Sequence, residues 1–274
     1  MNRLFVAYKP SHISSNGFLS KLKRKYKVKK AGFTGTLDPF AKGVLVVGFG
    51  SYTKLFRFLK KTPKTYQATL WLGAKSASLD SEMIENVEIL PPLPEEKIQT
   101  VLQSLQGELE YEPPIFSAKS INGQRAYDLA RANKEVKLQK ITSTIYDIKL
   151  ISYMHPFVTF KATVSEGTYI RSLGAIIASR LGIEFGSLSA LERLREGVFV
   201  YENEKSLLIK EVLDIPRNTY YGDPMNIFYG KVLDIADFAI QKDGHYWIDN
   251  DTTISIITIE NKKVKYELNK VDIC

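Results

Sequence analysis

Cysteine and histidine are almost absent from the sequence. Its 274 residues include one cysteine, Cys274, and three histidines. A disulfide framework needs paired cysteines, and the common zinc sites need Cys and His side chains in clusters. Both kinds of site are therefore excluded, and we expect no metal. A single thiol at position 274 is also hard to hold in place, so we do not expect a cysteine nucleophile.

Long apolar runs are missing as well. The longest, such as Val44–Phe49 and Ile254–Ile259, fall far short of the roughly 20 residues that a membrane-spanning helix needs. The short apolar stretch Leu4–Tyr8 is followed at once by Lys9-Pro10, which is not typical of a signal peptide. We therefore expect a soluble, cytoplasmic protein.

Several motifs of well-known catalytic sites are also lacking. The sequence has no GxGxxG, no phosphate-binding P-loop, no GxSxG and no HExxH. We therefore expect no nucleotide cofactor, no serine triad and no catalytic metal, and Asp, Tyr and Arg side chains remain as candidates for chemistry. A carboxylate can act as a covalent nucleophile toward a sugar carbon or an activated pyrimidine ring.

Acidic residues are scarce in the first third of the chain. Residues 1–79 contain sixteen Lys and Arg but a single acidic residue, Asp38, whereas the remainder contains 22 basic and 29 acidic residues. The densest run, Lys21–Lys30, has seven cations. Such a local excess of positive charge indicates a polyanionic partner. A solvated basic face that keeps the protein soluble is the alternative, but the imbalance favours nucleic acid.

Hydrophobic periodicity predicts a mixture of strands and helices. Apolar residues alternate in Thr65–Leu72, as in a half-buried strand, and recur with helical spacing in Glu95–Gln106. The predicted strands are Leu4–Tyr8, Val44–Phe49, Thr65–Leu72, Ile141–Ser152 and Phe157–Ser165. The predicted helices are one that Ser14, Ser15 or Asn16 caps, with Phe18, Leu19 and Leu22 on its inner face, then Thr53–Leu59, Glu95–Gln106, Arg125–Asn133, one near Ser172–Leu181, and Leu207–Leu213. Residues 73–92 are predicted as a loop and Ser187–Val200 as an extended segment. The mixture fits an α/β or an α+β class, and the alternation favours an α+β fold with a mixed, largely antiparallel sheet flanked by helices.

The last fifty residues are predicted to form a small β-rich unit. At roughly 150 residues per domain, this length fits one large domain and one small domain. The composition changes near Pro216–Pro224, so we divide the chain into residues 1–224 and 225–274. The short strands predicted after this boundary are Lys231–Ile235, His245–Ile248, Thr252–Ile259 and Val264–Leu268.

Asp38 is the first candidate for chemistry. It precedes Pro39, which pushes the backbone of Asp38 toward extended geometry, and Gly32 and Gly35 permit a tight path into the segment. The carboxylate therefore lies on a stiff loop in a strongly positive region. A turn or capping aspartate is the ordinary alternative, and the isolation of Asp38 among cations argues for function.

Arg171 and Tyr66 are the next candidates. Arg171 falls in the first turn of a predicted helix, where a cation is unfavourable unless an anion pairs with it. A carboxylate or phosphate would supply that partner in bidentate geometry, and a surface arginine is the alternative. Tyr66 lies on an alternating strand after a basic cluster, where it would either stack on an unpaired base or pack in the core.

Five segments of the sequence together carry a family resemblance. The strongest is Gly32–Leu45, which fits the pattern GxxG(T/S)LDPxAxGxL. The others are Lys9-Pro10 with Ser14–Asn16, Lys64–Gly73, Pro113–Tyr127 and Gly167–Leu173, with a weaker match at Leu191–Phe199. In order and spacing they resemble the bacterial TruB-type tRNA pseudouridine synthases, and Gly32–Leu45 is similar to that family's catalytic loop. The resemblance covers roughly residues 1–215.

The resemblance implies a pseudouridine synthase fold and the isomerisation of uridine at tRNA position 55, in the T-arm loop, without a cofactor. The uridine would be flipped out of the loop into the pocket. Asp38 would be the nucleophile, toward either the ribose C1′ or the ring C6, while Tyr66 would stack on the base and Arg171 would hold Asp38. The implied substrate contacts are Tyr66, Tyr169, Leu191 and Lys9. Lys21–Lys30 would hold the stem phosphates, and residues 225–274 would be a short PUA-type RNA-binding module.

Three positions depart from the family pattern. Phe33 stands where the family usually has histidine, Tyr8 where it often has aspartate, and Glu192 where it has arginine. None of the three is a catalytic candidate, so the interpretation as an enzyme is kept.

Two alternatives remain open. A non-catalytic tRNA-binding or tRNA-chaperone protein would use the fold for docking, and a guide-dependent enzyme would modify another RNA inside a larger complex. Our expectation is a monomer that acts on tRNA and needs no protein partner.

Overall fold

The computed structural model describes residues 1–116, 120–121, 124–125, 139–250 and 252–273. The predicted helix at Arg125–Asn133 and the second half of the Pro113–Tyr127 match lie largely outside these residues. The strands are β1 (Arg3–Lys9), β2 (Ala31–Phe33), β3 (Lys42–Phe49), β4 (Lys64–Leu72), β5 (Ala74–Ser76), β6 (Ile84–Val87), β7 (Gly107–Tyr111), β8 (Ser120–Ile121), β9 (Gln124–Arg125), β10 (Ile141–Met154), β11 (Phe157–Val164), β12 (Gly186–Glu196), β13 (Gly244–Asn250), β14 (Thr253–Glu260) and β15 (Lys263–Asp272). The helices are α1 (Ser15–Lys25), α2 (Glu95–Gln103), α3 (Ile170–Arg180), α4 (Ile209–Val212) and α5 (Pro224–Tyr229), with 3₁₀ helices at Gly50–Phe58 and Ile235–Asp237. None of the helices in the described ranges is long and apolar enough to cross a membrane.

One large sheet organises the first two thirds of the chain. Its strands run in the order β1-β3-β12-β4-β11-β10-β7, and β2 pairs with the same strand, β3, as β1 does. The β12–β3 pairing is parallel, and the other pairings seen in this sheet are antiparallel. The prediction of an α+β fold with a mixed, largely antiparallel sheet is therefore confirmed.

The sheet is buried because its strands carry apolar residues on the faces that helices cover. In β4 every second residue is buried, from Lys64 to Leu72, as the period-2 pattern predicts. Helices α2 and α3 pack on this part of the sheet and share its core. Strand β1 is apolar on both sides, because α1 covers Phe5 and Ala7 while the 3₁₀ helix at Gly50–Phe58 shares a core with Leu4 and Val6.

Helix α1 begins where a serine caps it. The Ser14 side chain accepts a hydrogen bond from the backbone N–H of Gly17, which satisfies one of the free donors at a helix start. Its last turn carries Lys23, Arg24 and Lys25, where cations suit the negative end of the helix dipole. The helix therefore displays its basic residues while Leu22 packs inward.

A three-stranded antiparallel sheet, β13-β14-β15, closes the chain. The β14–β15 turn at Asn261 and Lys262 has positive φ at both residues, which is typical of a tight hairpin turn. One face of this sheet, with Ile254 and Ile256, shares a core with β1 and β3, and the other, with Ile257 and Ile259, packs against the segment around α5. The C-terminal β module is thus present, and its boundary at residue 224 stays a prediction.

Two local predictions were wrong. Residues 73–92 contain the short strands β5 and β6 instead of a continuous loop. Residues Lys231–Ile235 form no strand; the chain forms α5 just before them, because Asp223 caps it, Pro224 suits its first turn and Gly230 ends it in a left-handed conformation. The helix predicted at Thr53–Leu59 is present as the 3₁₀ helix Gly50–Phe58.

Candidate active site

A cleft of about 350 Å³ opens over the centre of the large sheet. Its walls come from the loop between β2 and β3, from β4 and β12, and from the start of α3. It brings together five residues predicted from the sequence, and they are Asp38, Tyr66, Tyr169, Arg171 and Leu191. These side chains come from positions up to 153 residues apart in the chain, so the fold itself assembles the site.

The loop that carries Asp38 is tied down along its length. Gly35 has φ of +49°, a conformation that glycine adopts without strain. The Ser15 hydroxyl bonds the backbone of Leu37 twice, donating to its carbonyl at 2.9 Å and accepting from its N–H at 3.0 Å. The backbone N–H of Ala41 donates to the carbonyl of Asp38 at 3.1 Å. The carboxylate is therefore presented from a backbone that has little freedom to move.

Arg171 joins Asp38 to the body of the protein. Its Nε lies 2.9 Å from Asp38 Oδ2, and its side chain is 4% exposed against 34% for Asp38. Its Nη1 and Nη2 donate to the carbonyls of Ser78 and Phe116, both at 2.7 Å. The guanidinium thus uses one nitrogen for Asp38 and the others for the protein, whereas the sequence led us to expect a bidentate pair.

Asp80 is a residue of this site that the sequence analysis missed. Its Oδ2 lies 3.5 Å from Arg171 Nη1, and its Oδ1 accepts hydrogen bonds from the Ser78 hydroxyl at 2.5 Å and the Glu82 backbone at 3.0 Å. Ser76, Ser78 and Asp80 are all buried. The alternation of Ser76, Ser78 and Asp80 was the signal that the sequence offered, and the prediction of residues 73–92 as a loop obscured it.

Opposing influences act on the Asp38 carboxyl. Burial raises its pKa above the ordinary value for aspartate, and the nearby Asp80 carboxylate acts in the same direction. The Arg171 guanidinium and the Lys9 ammonium oppose this rise, since cations favour the ionised form. The net pKa is raised, so Asp38 binds its proton more tightly than an exposed aspartate would.

Tyr66, Leu191 and Tyr169 give the cleft its apolar walls. Tyr66 is 8% exposed on β4, and Leu191 lies on the neighbouring strand β12. Tyr169 stands at the start of α3, where its backbone N–H donates to the Tyr111 hydroxyl at 2.9 Å. Flat apolar walls beside a carboxylate suit a heteroaromatic ring. No three His, Cys, Asp or Glu side chains in the described part of the chain are placed to hold a metal ion.

Lys9 lies beneath the loop and does not line the cleft. It is fully buried, and its Nζ donates to the carbonyls of Pro10, Ile13 and Pro39 at 3.0, 2.6 and 3.3 Å. Burial lowers the pKa of its ammonium to about 8. This geometry favours a role in holding the loop next to Asp38, and the predicted substrate contact of Lys9 stays a prediction.

Two of the three departures from the family pattern contact each other. The Tyr8 hydroxyl donates to Glu192 Oε1 at 2.7 Å, and Lys42 Nζ lies 3.3 Å from Glu192 Oε2. The third departure, Phe33, is partly buried against the core that α1 covers. Glu192 is therefore held by its neighbours and does not project as a free acidic group.

The basic run predicted from the sequence lies on the surface. Of its seven cations, six are exposed and Lys23 is partly exposed. Lys25 pairs with an acidic residue, Glu204, at 2.6 Å. A groove of about 410 Å³ between Lys23, Arg24 and Val28 completes this surface.

The fold is shared with solved structures. The chain matches one in the "Crystal Structure of a Cbf5-Nop10-Gar1 Complex" with a TM-score of 0.69 and 19% identity, over 99% of this chain and 84% of that one. It matches one in the "Crystal structure of the archaeal box H/ACA sRNP Nop10-Cbf5 complex" with a TM-score of 0.65 and 20% identity, over 98% and 85% of the two chains. At this identity the likeness concerns the fold.

Sequence comparisons go further. The protein-family model described as "TruB family pseudouridylate synthase (N terminal domain)" matches residues 23–170 of this chain. A protein of Sulfurimonas denitrificans named "tRNA pseudouridine synthase B" is 65% identical over 99% of this chain and 100% of its own length, and one of the same name from Campylobacter curvus is 53% identical over the whole of both. Together with the fold and the cleft, these matches define the chain as a pseudouridine synthase. Within that class it belongs to the TruB family.

Proposed function

We propose that this enzyme isomerises the uridine at position 55 of tRNA, in the T-arm loop, with Asp38 as the nucleophile. The observation that carries the proposal is the cleft itself. It holds a carboxylate on a constrained loop, an arginine 2.9 Å from that carboxylate, and a tyrosine on the facing strand. The resemblance of Gly32–Leu45 to the family's catalytic loop supports the same assignment.

The reaction follows from these positions. The uridine is flipped into the cleft, where Tyr66 stacks on the ring and Tyr169 and Leu191 enclose it. Asp38 attacks either the ribose C1′ or the ring C6, and both routes remain part of the proposal. The N1–C1′ bond breaks, the base turns, a C5–C1′ bond forms, and the bond between Asp38 and the nucleoside breaks so that the carboxylate is regenerated. C5 loses its proton, for which Tyr66 is the candidate acceptor, and N1 gains one, so the reaction is an isomerisation that needs no cofactor.

The proposed partner is tRNA, which the names of the relatives from Sulfurimonas and Campylobacter specify for those proteins. The exposed cations of Lys21–Lys30 hold stem phosphates, so affinity depends strongly on salt. The proposal includes a cytoplasmic monomer that needs no protein partner. It also includes residues 225–274 as a short RNA-binding module after the boundary at residue 224.

The decisive variant is Asp38→Asn. It preserves the size of the side chain and a hydrogen-bond acceptor for Arg171, so the fold and RNA binding should survive. We expect no pseudouridine in a T-arm stem-loop transcript under conditions in which the wild-type enzyme converts it fully. A folded Asp38→Asn enzyme that still forms pseudouridine at the wild-type rate would remove the nucleophile from this account.

The same assay separates the alternatives. A wild-type chain that binds the stem-loop and never modifies it would be a tRNA-binding or tRNA-chaperone protein. A chain that is active only with a guide RNA would be a guide-dependent enzyme. Mapping of pseudouridine in tRNA from cells with and without the gene then tests position 55.

A further inference from the structure

A further buried carboxylate lies beside the start of the catalytic loop, close to Thr34 and Gly35. Glu196 ends strand β12 and has no exposed surface. Its Oε1 accepts a hydrogen bond from the Thr34 hydroxyl at 2.8 Å and lies 3.3 Å from Lys64 Nζ, and its Oε2 lies 3.4 Å from Arg193 Nη2. A buried charge is costly unless cations and hydrogen bonds compensate it. One carboxylate is thus surrounded by three partners, each in contact with the loop or the cleft.

Two of these partners connect Glu196 with the loop backbone and the cleft. Arg193 donates from Nη2 to the carbonyl of Gly35 and from Nε to the carbonyl of Val44, both at 2.8 Å. Lys64 and Arg193 also line the cleft that holds Asp38. Glu196 therefore reaches Gly35 through Arg193, and it reaches the residue before Gly35 directly through the Thr34 hydroxyl.

The cluster fits the loop without spare room. A Cβ atom at Gly35 would lie 2.8 Å from Lys64 Nζ and 3.1 Å from both Arg193 Nη1 and Glu196 Oε1. The loop backbone at Gly35 is therefore in direct contact with the charged groups. Because Glu196 forms ion pairs with both Lys64 and Arg193, a shift of one charged group disturbs the others, and the position of this backbone depends on the whole cluster.

The backbone of Glu196 is itself held firmly. It pairs with Lys64 across β12 and β4, and it exchanges two hydrogen bonds with the backbone of Phe199, at 3.1 and 3.0 Å. The next residue, Gly197, has φ of +59°, and a Cβ there would collide with the carbonyl of Lys60. The turn therefore requires glycine at position 197. This turn holds the C-terminal end of β12 in place.

We propose that Glu196 is a positioning residue for the isomerisation. Through Thr34, Lys64 and Arg193 it fixes the start of the catalytic loop, and so sets the direction from which Asp38 meets the base. It acts on Thr34 and Gly35 at the start of the loop, whereas Arg171 contacts the Asp38 carboxylate itself. The inference rests on the proposed function of Asp38 as the nucleophile.

The test is Glu196→Gln, which keeps the shape of the side chain and removes its charge. With enzyme in excess over a T-arm stem-loop, we expect the single-turnover rate to fall by about 100-fold and the stem-loop Kd to stay within about threefold, because a displaced nucleophile slows the chemistry and leaves binding intact. Glu196→Asp keeps the charge and should recover part of the rate.

Ile98→Ala is the matched control. Ile98 is fully buried on helix α2 and lies outside the cleft, the loop and the proposed RNA-binding module, so its truncation lowers the melting temperature without touching the loop. Its single-turnover rate should equal that of the wild type at a temperature where all variants are folded. If Glu196→Gln does not fold, Glu196→Asp is judged by the same comparison.

The outcomes separate this inference from the function on which it rests. A folded Glu196→Gln enzyme with the wild-type rate, or with a reduction no larger than that of Ile98→Ala, overturns the positioning role. An effect that appears in Kd alone overturns it as well, because Glu196 would then serve binding. If Asp38→Asn is inactive in the same assay, the proposed function stands whatever Glu196→Gln does. If Asp38→Asn is active, the nucleophile assignment fails first.

Discussion

Arg171→Lys is the substitution that most directly tests how the site is held. The three guanidinium nitrogens contact three separate oxygens, on Asp38, Ser78 and Phe116. A lysine keeps the charge but has a single nitrogen on a flexible stem, so it cannot reach all three oxygens. We expect the lysine ammonium to bond either the backbone carbonyls of Ser78 and Phe116 or the Asp38 carboxylate, and not both.

The size of the effect follows from the hydrogen bonds that the substitution removes. A hydrogen bond to a charged group contributes about 1.5–3 kcal/mol, so removing the one to Asp38 in the transition state slows the reaction by about 10- to 140-fold. Leaving a buried carbonyl without its donor costs about 1–3 kcal/mol in the free energy of unfolding. RNA binding should change little, because Arg171 is 4% exposed and its nitrogens face the protein.

The assay is tritium release from uridine labelled at C5 in a T-arm stem-loop, measured under single-turnover conditions with the stem-loop Kd alongside. Arg180→Lys is the matched control, since Arg180 lies on the same helix α3 and donates to Ser104 at the surface. We expect the control to keep the wild-type rate. An Arg171→Lys enzyme as fast as Arg180→Lys would show that Arg171 does not position Asp38.

Two further predictions concern pH and salt. Burial raises the pKa of Asp38 in the folded state, so the single-turnover rate should begin to fall, as the pH is lowered, at a pH above the ordinary aspartate range. Protonation of Asp38 in the same pH window should stabilise the fold, because the folded state binds this proton more tightly than the unfolded state does. A rate that falls only at or below the ordinary aspartate range would contradict the burial argument. Neutralising Lys23, Arg24 and Lys25 together should lower the slope of log Kd against log salt by about 0.7–0.9 for each phosphate that the protein no longer neutralises, with the smallest share from Lys25, which pairs with Glu204. An unaltered slope would place the RNA surface elsewhere.

The elements that the sequence predicts well are those whose pattern is local. The alternation in β4 predicted the strand and placed Tyr66 on the same face as Ala68, Leu70 and Leu72, because the period-2 pattern is a property of each strand by itself. The helix with Arg171 in its first turn was also predicted, and Arg171 is the second residue of α3. An arginine at the positive end of a helix indicates an anionic partner, and Asp38 lies 2.9 Å away.

The residues that were missed act through contacts between distant segments. Asp80 and Glu196 are buried acids whose partners lie as much as 162 residues away in the chain, so local periodicity does not mark Glu196, and the alternation at Ser76, Ser78 and Asp80 does not reveal the partner of Asp80. The burial of Lys9 was not evident from the sequence either. Its place in a family motif suggested a substrate contact, whereas its ammonium lies under the loop against three carbonyls. Burial of a charged residue depends on the tertiary fold and cannot be read from spacing.

The departures at Tyr8 and Glu192 show why single positions are a poor measure of resemblance. Strands β1 and β12 both pair with β3, so these residues lie close although 184 positions separate them. Where the family pattern has aspartate and arginine, this chain has a phenol that donates to a carboxylate at 2.7 Å. Burial and the Glu192 carboxylate raise the pKa of the Tyr8 phenol, so it stays protonated and remains the donor. The two departures are therefore in contact with each other in this chain. They immediately precede Lys9 and Arg193, which donate to carbonyls of the loop on either side of Asp38, and both of these contacts are present beside the two departures.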